Sequence, residues 1–377
     1  MSFLIFSRII PGISKASTER DSRQGSRARA PAPHKLAPKK TDARLGRIVR
    51  LLMDNATVVV SGTKIAGEIG TGRSEVWRLV KQLRTLGVKI AGHPATGYQL
   101  RAVPDLLLPD MLAPFLKGTI FGQDIHHYYK IGSTNSEAMD NAGSGAPEGS
   151  VFVAEEQTAG RGRGSHQWDS APSAGIYCSV VLRPALPPSE ALILSLAAGL
   201  AVQAAVQQVD SRTVPDLKWP NDLLIGGKKF CGILTEMNAE ATRVRYVVVG
   251  IGINVNQARF PDELQRVATS LRLASGTEWS RVELCAALLK SLDREYRDLL
   301  HKPDAHRSIL ERFQEGSSSA RGRQVRVEEN GGFEGVTEGL DPRGFLQVRT
   351  AQGMRTVLSG TVRLKEQSSV VGPQSSA

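Results

Sequence analysis

Arg161 and Arg163 stand in the segment richest in chemically useful residues, Glu156-Gln157-Thr158-Ala159-Gly160-Arg161-Gly162-Arg163-Gly164. Alternating glycines let the backbone curl so that several N–H groups can face one anion. The two guanidinium groups add permanent charge and bidentate hydrogen bonding to phosphate oxygens. The run lacks the Gly-Lys-Ser/Thr ending of a Walker loop, and no GxGxxG opens a helix. An RNA-binding Arg-Gly segment and a plain flexible loop remain open, although strand-like runs on both sides disfavour the first.

A second segment is Lys218-Trp219-Pro220-Asn221-Asp222, followed by Lys229 and then Gly232-Ile233-Leu234-Thr235-Glu236. Proline after tryptophan restrains the backbone at a strand end, and Gly226-Gly227 supplies a hairpin turn. Lys218 and Lys229 can thereby reach one site from adjacent strands; two surface lysines beside a core tryptophan are the alternative. A third segment, Gly250-Ile251-Gly252-Ile253-Asn254, places two glycines in a strand, which marks the close approach of a ligand or of another backbone. Asn254 adds a neutral donor and acceptor. The fourth, Ser133-Thr134-Asn135, offers three short polar side chains at a helix start, where a simple N-cap is the plainer reading.

The elements that position these residues follow from periodicity. Residues 1–41 are rich in Ser, Arg, Pro and Ala and read as a disordered basic tail. From Ala43 the pattern is helical: Leu45, Ile48, Val49 and Leu52 form one stripe. A short helix over 63–69 and a helix over 73–86 follow, separated by Gly70-Thr71-Gly72. Strands at 88–90 and 98–100 flank a Gly/Pro turn. Three helices and a hairpin make a winged helix-turn-helix over 42–103. Its third helix presents Arg73, Ser74, Trp77, Arg78 and Lys81 outward, a set suited to phosphate and base-edge contacts in DNA. A solvated charged face is the alternative, and Trp77 could instead pack on the rest of the protein.

A Pro/Leu-rich connector near 104–114 leads to a body over 115–318. Strand-like runs at 151–155, 175–182 and 246–255 alternate there with helical runs at 135–141, 189–209 and 281–300. The fold class is therefore α+β, with a central mixed α/β domain built on a largely antiparallel sheet. Short β segments at 324–328, 345–349 and 355–358, with Gly-rich turns, read as a small SH3-like β-barrel over 320–366. A disordered polar tail spans 367–377.

Composition limits the function classes. Hydrophobic residues make up 41% and charged residues 23%, as in an ordinary globular protein. No apolar run approaches the roughly 20 residues that span a bilayer, so no membrane partner is expected. Cys178, Cys231 and Cys285 are odd in number and far apart, which fits free thiols in the cytoplasm and neither a disulfide framework nor a metal site. The net charge of +11 is uneven. Residues 1–40 hold nine Lys/Arg against two Asp/Glu, residues 41–100 nine against four, and the remainder thirty against thirty-one. A polyanion partner is thus expected for the first hundred residues only.

Taken in order, Ser-Thr-Asn, Gln-x-x-Gly-Arg-Gly-Arg ending at Trp168, Lys-Trp-Pro-Asn-Asp, Lys-x-x-Gly-Ile-Leu-x-Glu and Gly-x-Gly-Ile-Asn resemble the biotin protein ligase family. The flanking helix-turn-helix and barrel resemble its bifunctional bacterial members, which are ligase and biotin-operon repressor at once. The resemblance implies that Ser133, Thr134, Asn135 and Gln157 contact biotin, together with Arg161, Gly162, Arg163 and Lys229. It implies nucleotide contacts for Gly160, Trp168 and Asn254, and catalytic roles for Arg161, Arg163, Lys218 and Lys229. ATP and biotin would be substrates, with Mg²⁺ accompanying the nucleotide. The implied partners are the biotin carboxyl carrier protein of acetyl-CoA carboxylase, operator DNA, and a second copy of the chain on binding biotinyl-AMP. Two alternatives stay open, a lipoate ligase and a ligand-sensing transcription factor without activity. Where family members often carry further arginines, this chain reads Gly164-Ser165-His166-Gln167, and the resemblance assigns those positions no role.

Overall fold

The computed structural model describes residues 40–365 except 94–95, 103, 165 and 329–330. The tails expected at 1–41 and 367–377 lie outside these residues, save 40 and 41, which begin the first helix. The N-terminal domain contains α1 (Lys40–Asp54), α2 (Gly62–Ile69), α3 (Arg73–Thr85), β1 (Ile90–His93) and β2 (Gly97–Leu100). Leu45, Ile48, Val49 and Leu52 are at most 1% exposed, and Val76, Leu79, Val80 and Leu83 pack against them. Each such side chain contributes about 1.5–3 kcal/mol by leaving water. Ser61 caps α2 by accepting from the Lys64 N–H, and Gly70 ends it in the left-handed region at φ 63°. The hairpin starts at Ile90, two residues later than the expected Val88, because its register pairs Ile90 with Leu100. A Cβ at Gly97 would lie 2.1 Å from the Val60 carbonyl oxygen, so the wing can lie against the helices only with glycine there.

The central domain runs through α4 (Pro109–Leu112), β3 (Ile125–Tyr128), α5 (Thr134–Gly143), β4 (Val151–Ala154), β5 (Gly175–Leu182), α6 (Leu192–Val209), β6 (Asp216–Lys218), β7 (Asp222–Ile225), β8 (Lys228–Ala239), β9 (Val244–Asn254), α7 (Leu271–Ser275), α8 (Arg281–His301) and α9 (Ala305–Glu315). Its seven strands lie in the order β3-β4-β5-β9-β8-β7-β6, antiparallel throughout except for β3 beside β4. Alternation along β4 sends Val151 and Val153 to the face covered by α6 and α8, and Phe152 and Ala154 to the face covered by α5. Gly226 and Gly227, at φ 56° and 75°, make the two-residue turn between β7 and β8. Contrary to the reading that no run approaches a bilayer span, Pro188–Val209 is long and apolar enough to cross one. It is instead a core helix, with 78% of that window buried.

The C-terminal region forms β10 (Arg321–Glu328), β11 (Phe333–Leu340), β12 (Leu346–Thr350), β13 (Gly353–Val357) and β14 (Thr361–Leu364), a five-stranded antiparallel sheet in the order β13-β12-β11-β10-β14. Val325, Val327, Phe345 and Val348 join the hydrophobic core of the central domain. Trp219 is buried at this junction and donates its indole N–H to the Gly344 carbonyl at 2.9 Å.

The connector is built into both cores. Leu106 packs into the N-terminal core and Leu107, the next residue, into the central one. Tyr129, just beyond β3, also belongs to the N-terminal core.

Candidate active site

The N-terminus of α5, the loop from Gln157 to Trp168, strands β7 to β9 and the β13–β14 turn enclose a cavity of about 420 Å³. That volume suits a small-molecule ligand. One end is neutral. Gln157 accepts through Oε1 from the Thr134 N–H (2.8 Å) and hydroxyl (3.2 Å), and donates to the Ser170 hydroxyl at 2.9 Å. Asn135 donates to the Leu234 carbonyl (3.2 Å) and to Glu236 (3.0 Å), while its Oδ1 accepts from the Ser179 hydroxyl at 2.7 Å. Ser133 caps α5, as the plainer reading of Ser-Thr-Asn expects, and lines the cavity as well.

The other end is cationic, and each cation is held by a partner. Arg161 pairs with Glu236 at 2.5 Å and donates to the Ser136 hydroxyl at 3.3 Å. Arg163 donates to Asn221 Oδ1 (3.0 Å) and to the Gly360 carbonyl (3.2 Å), so the C-terminal sheet takes part in the site. Lys229 pairs with Asp222 at 2.6 Å, and its ammonium lies 5.4 Å from the centre of the Trp168 ring. The Arg-Gly loop closes on itself as a small hairpin: Gly162 N–H donates to the His166 carbonyl at 2.8 Å and Trp168 N–H to the Gly160 carbonyl at 3.0 Å.

The glycines of the strand motifs make room for particular neighbours. Gly232 and Gly252 pair across β8 and β9, and Cβ atoms there would lie 2.9 Å and 2.6 Å from the Trp168 indole. The indole therefore lies flat on a glycine pair. Gly160 approaches Trp168 as closely, a Cβ falling 2.4 Å from its carbonyl oxygen.

Not every expected residue reaches the cavity. Ser133, Thr134, Asn135, Gln157, Arg161, Gly162, Arg163, Trp168 and Lys229 line it; Gly160, Lys218 and Asn254 do not. Lys218 sits on β6 opposite Asp222, half-buried and outside the cavity lining. Asn254 is buried and committed to the chain, donating to the Thr269 carbonyl at 3.1 Å and accepting from Gln257 at 3.1 Å. The residues that sequence reasoning missed are Asn221, Asp222 and Glu236, inside quoted motifs but given no role, together with Ser170, Ser179 and Gly360, which carry no local signal.

In the N-terminal domain Arg73, Ser74, Trp77, Arg78 and Lys81 are all exposed on α3. Trp77 is 58% exposed, so it faces solvent and does not pack on the rest of the protein. The Lys81 ammonium lies 5.5 Å from its ring centre, and Arg78 makes a bidentate pair with Glu75 at 2.8 and 2.7 Å. A groove between α3 and the wing is lined by Arg73, Ser74, Trp77, His93 and Tyr98.

Comparison with known proteins agrees with this geometry. Residues 130–254 match the Biotin/lipoate A/B protein ligase family, 321–365 the Biotin protein ligase C terminal domain, and 44–99 an HTH domain. The chain is 37% identical over 321 residues to a bifunctional ligase/repressor BirA of Bacillus spizizenii, covering 84% of this chain and 97% of that one. It is 36% identical over 235 residues to a biotin–[acetyl-CoA-carboxylase] ligase of Mycobacterium tuberculosis, covering 61% of this chain and 84% of the relative. Among solved structures, the biotin protein ligase from Aquifex aeolicus in complex with biotin and ATP superposes with a TM-score of 0.56 at 28% identity, over 65% of this chain and all of that one. A neutral hydrogen-bonding end, a cationic end and a helix-turn-helix domain ahead of them thus coincide with those matches, and the chain belongs to the biotin protein ligase family, in its bifunctional form with an N-terminal helix-turn-helix domain.

Proposed function

We propose that the protein joins biotin and ATP to give biotinyl-5′-AMP and pyrophosphate, and then transfers biotin to a lysine of the biotin carboxyl carrier protein of acetyl-CoA carboxylase. The observation that carries this reading is the polarity of the cavity between the start of α5 and Lys229. Thr134, Asn135 and Gln157, with Ser133, suit an uncharged ureido ring, which offers one carbonyl and two N–H groups. Arg161, Arg163 and Lys229 suit a carboxylate and a phosphate meeting at the other end. A lipoyl ring would gain nothing from the polar end.

In the first step a biotin carboxylate oxygen attacks the α-phosphorus, and the bond to the bridging oxygen of pyrophosphate breaks. No proton has to move, so no acid–base triad is required. The chain's task is to align two anions and offset the charge that develops. Arg161, Arg163 and Lys229 do this by exchanging Glu236, Asn221 and Asp222 for ligand oxygens. Among the described residues no group of three or more His, Cys, Asp or Glu could hold a metal ion; Mg²⁺ would accompany the nucleotide as its counter-ion and would shield phosphate charge. In the second step a neutral carrier lysine attacks the acyl carbon, the anhydride C–O bond breaks, AMP leaves with the bridging oxygen and the amine's proton passes to solvent. The Arg-Gly hairpin and Trp168 limit access of water to the intermediate. Gly160 serves the turn, and neither Lys218 nor Asn254 is given a ligand contact.

The N-terminal domain makes the protein a biotin-responsive repressor. The exposed Arg73, Ser74, Trp77, Arg78 and Lys81 and the excess of cations before residue 100 support binding to operator DNA. Biotinyl-AMP promotes a homodimer that engages two half-sites, and the three free, buried thiols suit the cytoplasm. Transfer of labelled biotin to a carrier domain with ATP and Mg²⁺ tests the ligase reading. Preference for lipoate, or no transfer, would overturn it.

A further inference from the structure

Arg281 is the largest fully buried side chain among the described residues, 1% exposed, and the chemistry above does not use it. It opens α8 and touches three separate segments. Nη1 donates to Glu155 Oε2 at 2.8 Å and to the Gly175 carbonyl at 3.1 Å, and Nε donates to Asp105 Oδ2 at 3.1 Å. Asp105 Oδ1 in turn accepts from the backbone N–H groups of Arg281 (2.9 Å) and Val282 (3.1 Å). Glu155, fully buried, uses its other oxygen to accept from Leu107 N–H at 2.8 Å and to bond His127 Nε2 at 3.1 Å. Burying such charges is costly, and an apolar replacement of similar volume is often as stable, so stability alone is a weak account of the network.

Its position supplies a better one. Asp105 and Leu107 flank Leu106, which packs in the N-terminal core. Glu155 follows β4 and stands two residues before Gln157. Gly175 begins β5, two residues before Tyr177 and three before Cys178, which line the cavity. Between these two strand ends, Ser173 N–H donates to the Glu155 carbonyl at 2.9 Å and Ser173 sits at φ 51°. One guanidinium therefore joins the seat of the N-terminal domain to both strand ends that carry the neutral wall of the cavity.

We propose that Arg281 is a positioning residue that ties the seating of the connector at Asp105 and Leu107 to the geometry of the biotin end, so that biotin affinity depends on how the connector is held. The proposal rests on the ligase reading above. Coupling of this kind is reciprocal: whatever factor connector seating contributes to ligand affinity, ligand contributes to connector seating.

The test uses the full-length protein. Arg281→Met leaves Glu155 buried without its partner and risks misfolding, so the informative variants are Asp105→Ala and Asp105→Asn. The Asp105 side chain is 39% exposed, and its loss leaves the Glu155–Arg281 pair in place. With wild type shown first to label a carrier, Asp105→Ala is expected to raise KM for biotin three- to tenfold. KM for ATP stays within twofold, because Lys229 stands on β8 and Arg161 and Arg163 are held by Glu236, Asn221 and Gly360, none of which touches Asp105 or Arg281. Asp105→Asn, which keeps the acceptor for both α8 N–H groups, restores biotin KM to within twofold of wild type. An unchanged biotin KM in folded Asp105→Ala, or an equal rise in both KM values, would overturn the proposal. Failure of the wild type to label a carrier would instead overturn the ligase reading.

Discussion

Asn135 and Gly250 fit each other so closely that a Cβ at Gly250 would fall 1.9 Å from Asn135 Oδ1. The glycine in β9 is thus a receptor for the side chain at the start of α5. Asn135 is 4% exposed and spends its amide on Leu234, Glu236 and Ser179. Its orientation then fixes where Thr134 and Gln157 can stand.

Gly250→Ala is accordingly expected to push Asn135 out of this seat and leave polar groups without partners. A buried donor or acceptor left unsatisfied costs about 1–3 kcal/mol. Biotin binding measured by calorimetry should weaken at least tenfold, with a lower melting temperature. Unaltered biotin affinity would show that the seat of Asn135 does not shape the ligand end.

Trp168 and its glycine pair carry a second expectation. Gly252→Ala forces the indole off β8 and β9, since the present separation to a new Cβ is 2.6 Å. The Trp168 contribution to fluorescence, isolated by difference from Trp168→Phe, should shift to longer wavelength as the ring becomes wetter. Adenylate hydrolysis, followed as AMP release without a carrier, should rise severalfold. A variant with native emission would contradict the flat packing.

Legibility from the sequence was uneven, for physical reasons. The stripes Leu45, Ile48, Val49, Leu52 and Val76, Leu79, Val80, Leu83 are all buried because helical period alone decides them. Helix α9, β11 and β14 lie outside the elements the periodicity predicts, although Ile309, Leu310 and Phe313 mark the inner face of α9. At the site, contiguous motifs exposed most lining residues. Lys218 and Asn254 lie outside the cavity lining, and spacing could not show this because a strand residue's face depends on register. Ser179 lies in a strand buried along its whole length, so nothing local singles it out. Gly360 reaches Arg163 across 197 positions of sequence.

The Arg281 network makes stability depend on acid. Burial by itself would raise the Glu155 pKa, but the adjacent Arg281 and the hydrogen bond from His127 outweigh it and hold the carboxyl at about 2. Folding therefore favours the carboxylate. The contribution is complete above the unfolded value of about 4.3 and is lost as pH falls from there through about 2. At pH 7, Glu155→Gln should destabilise the protein by about 3–5 kcal/mol, because Arg281 loses a buried partner. The gap between wild-type and variant melting temperatures should narrow from pH 5 to pH 3. A gap independent of pH would refute the assignment.

On the DNA-facing helix, Lys81 is exposed and can reach a phosphate once it leaves the Trp77 ring. Lys81→Ala should weaken operator binding and lower the slope of log K against log salt by about one. Glu75→Gln should strengthen binding, because it releases Arg78 from its bidentate pair. Fluorescence anisotropy across a salt series decides both, and slopes equal to wild type would exclude Lys81 from the interface.

One cavity with a neutral end and a cationic end both activates biotin and passes it on. The most direct test of this is carrier labelling with ATP, Mg²⁺ and biotin, run on wild type and Arg161→Ala. Wild type is expected to label rapidly and Arg161→Ala to lose about 100-fold or more, in the range seen when a charge-stabilising group is removed. A wild type that leaves the carrier unlabelled, or an Arg161→Ala protein that labels it at the wild-type rate, would contradict this role of the cavity.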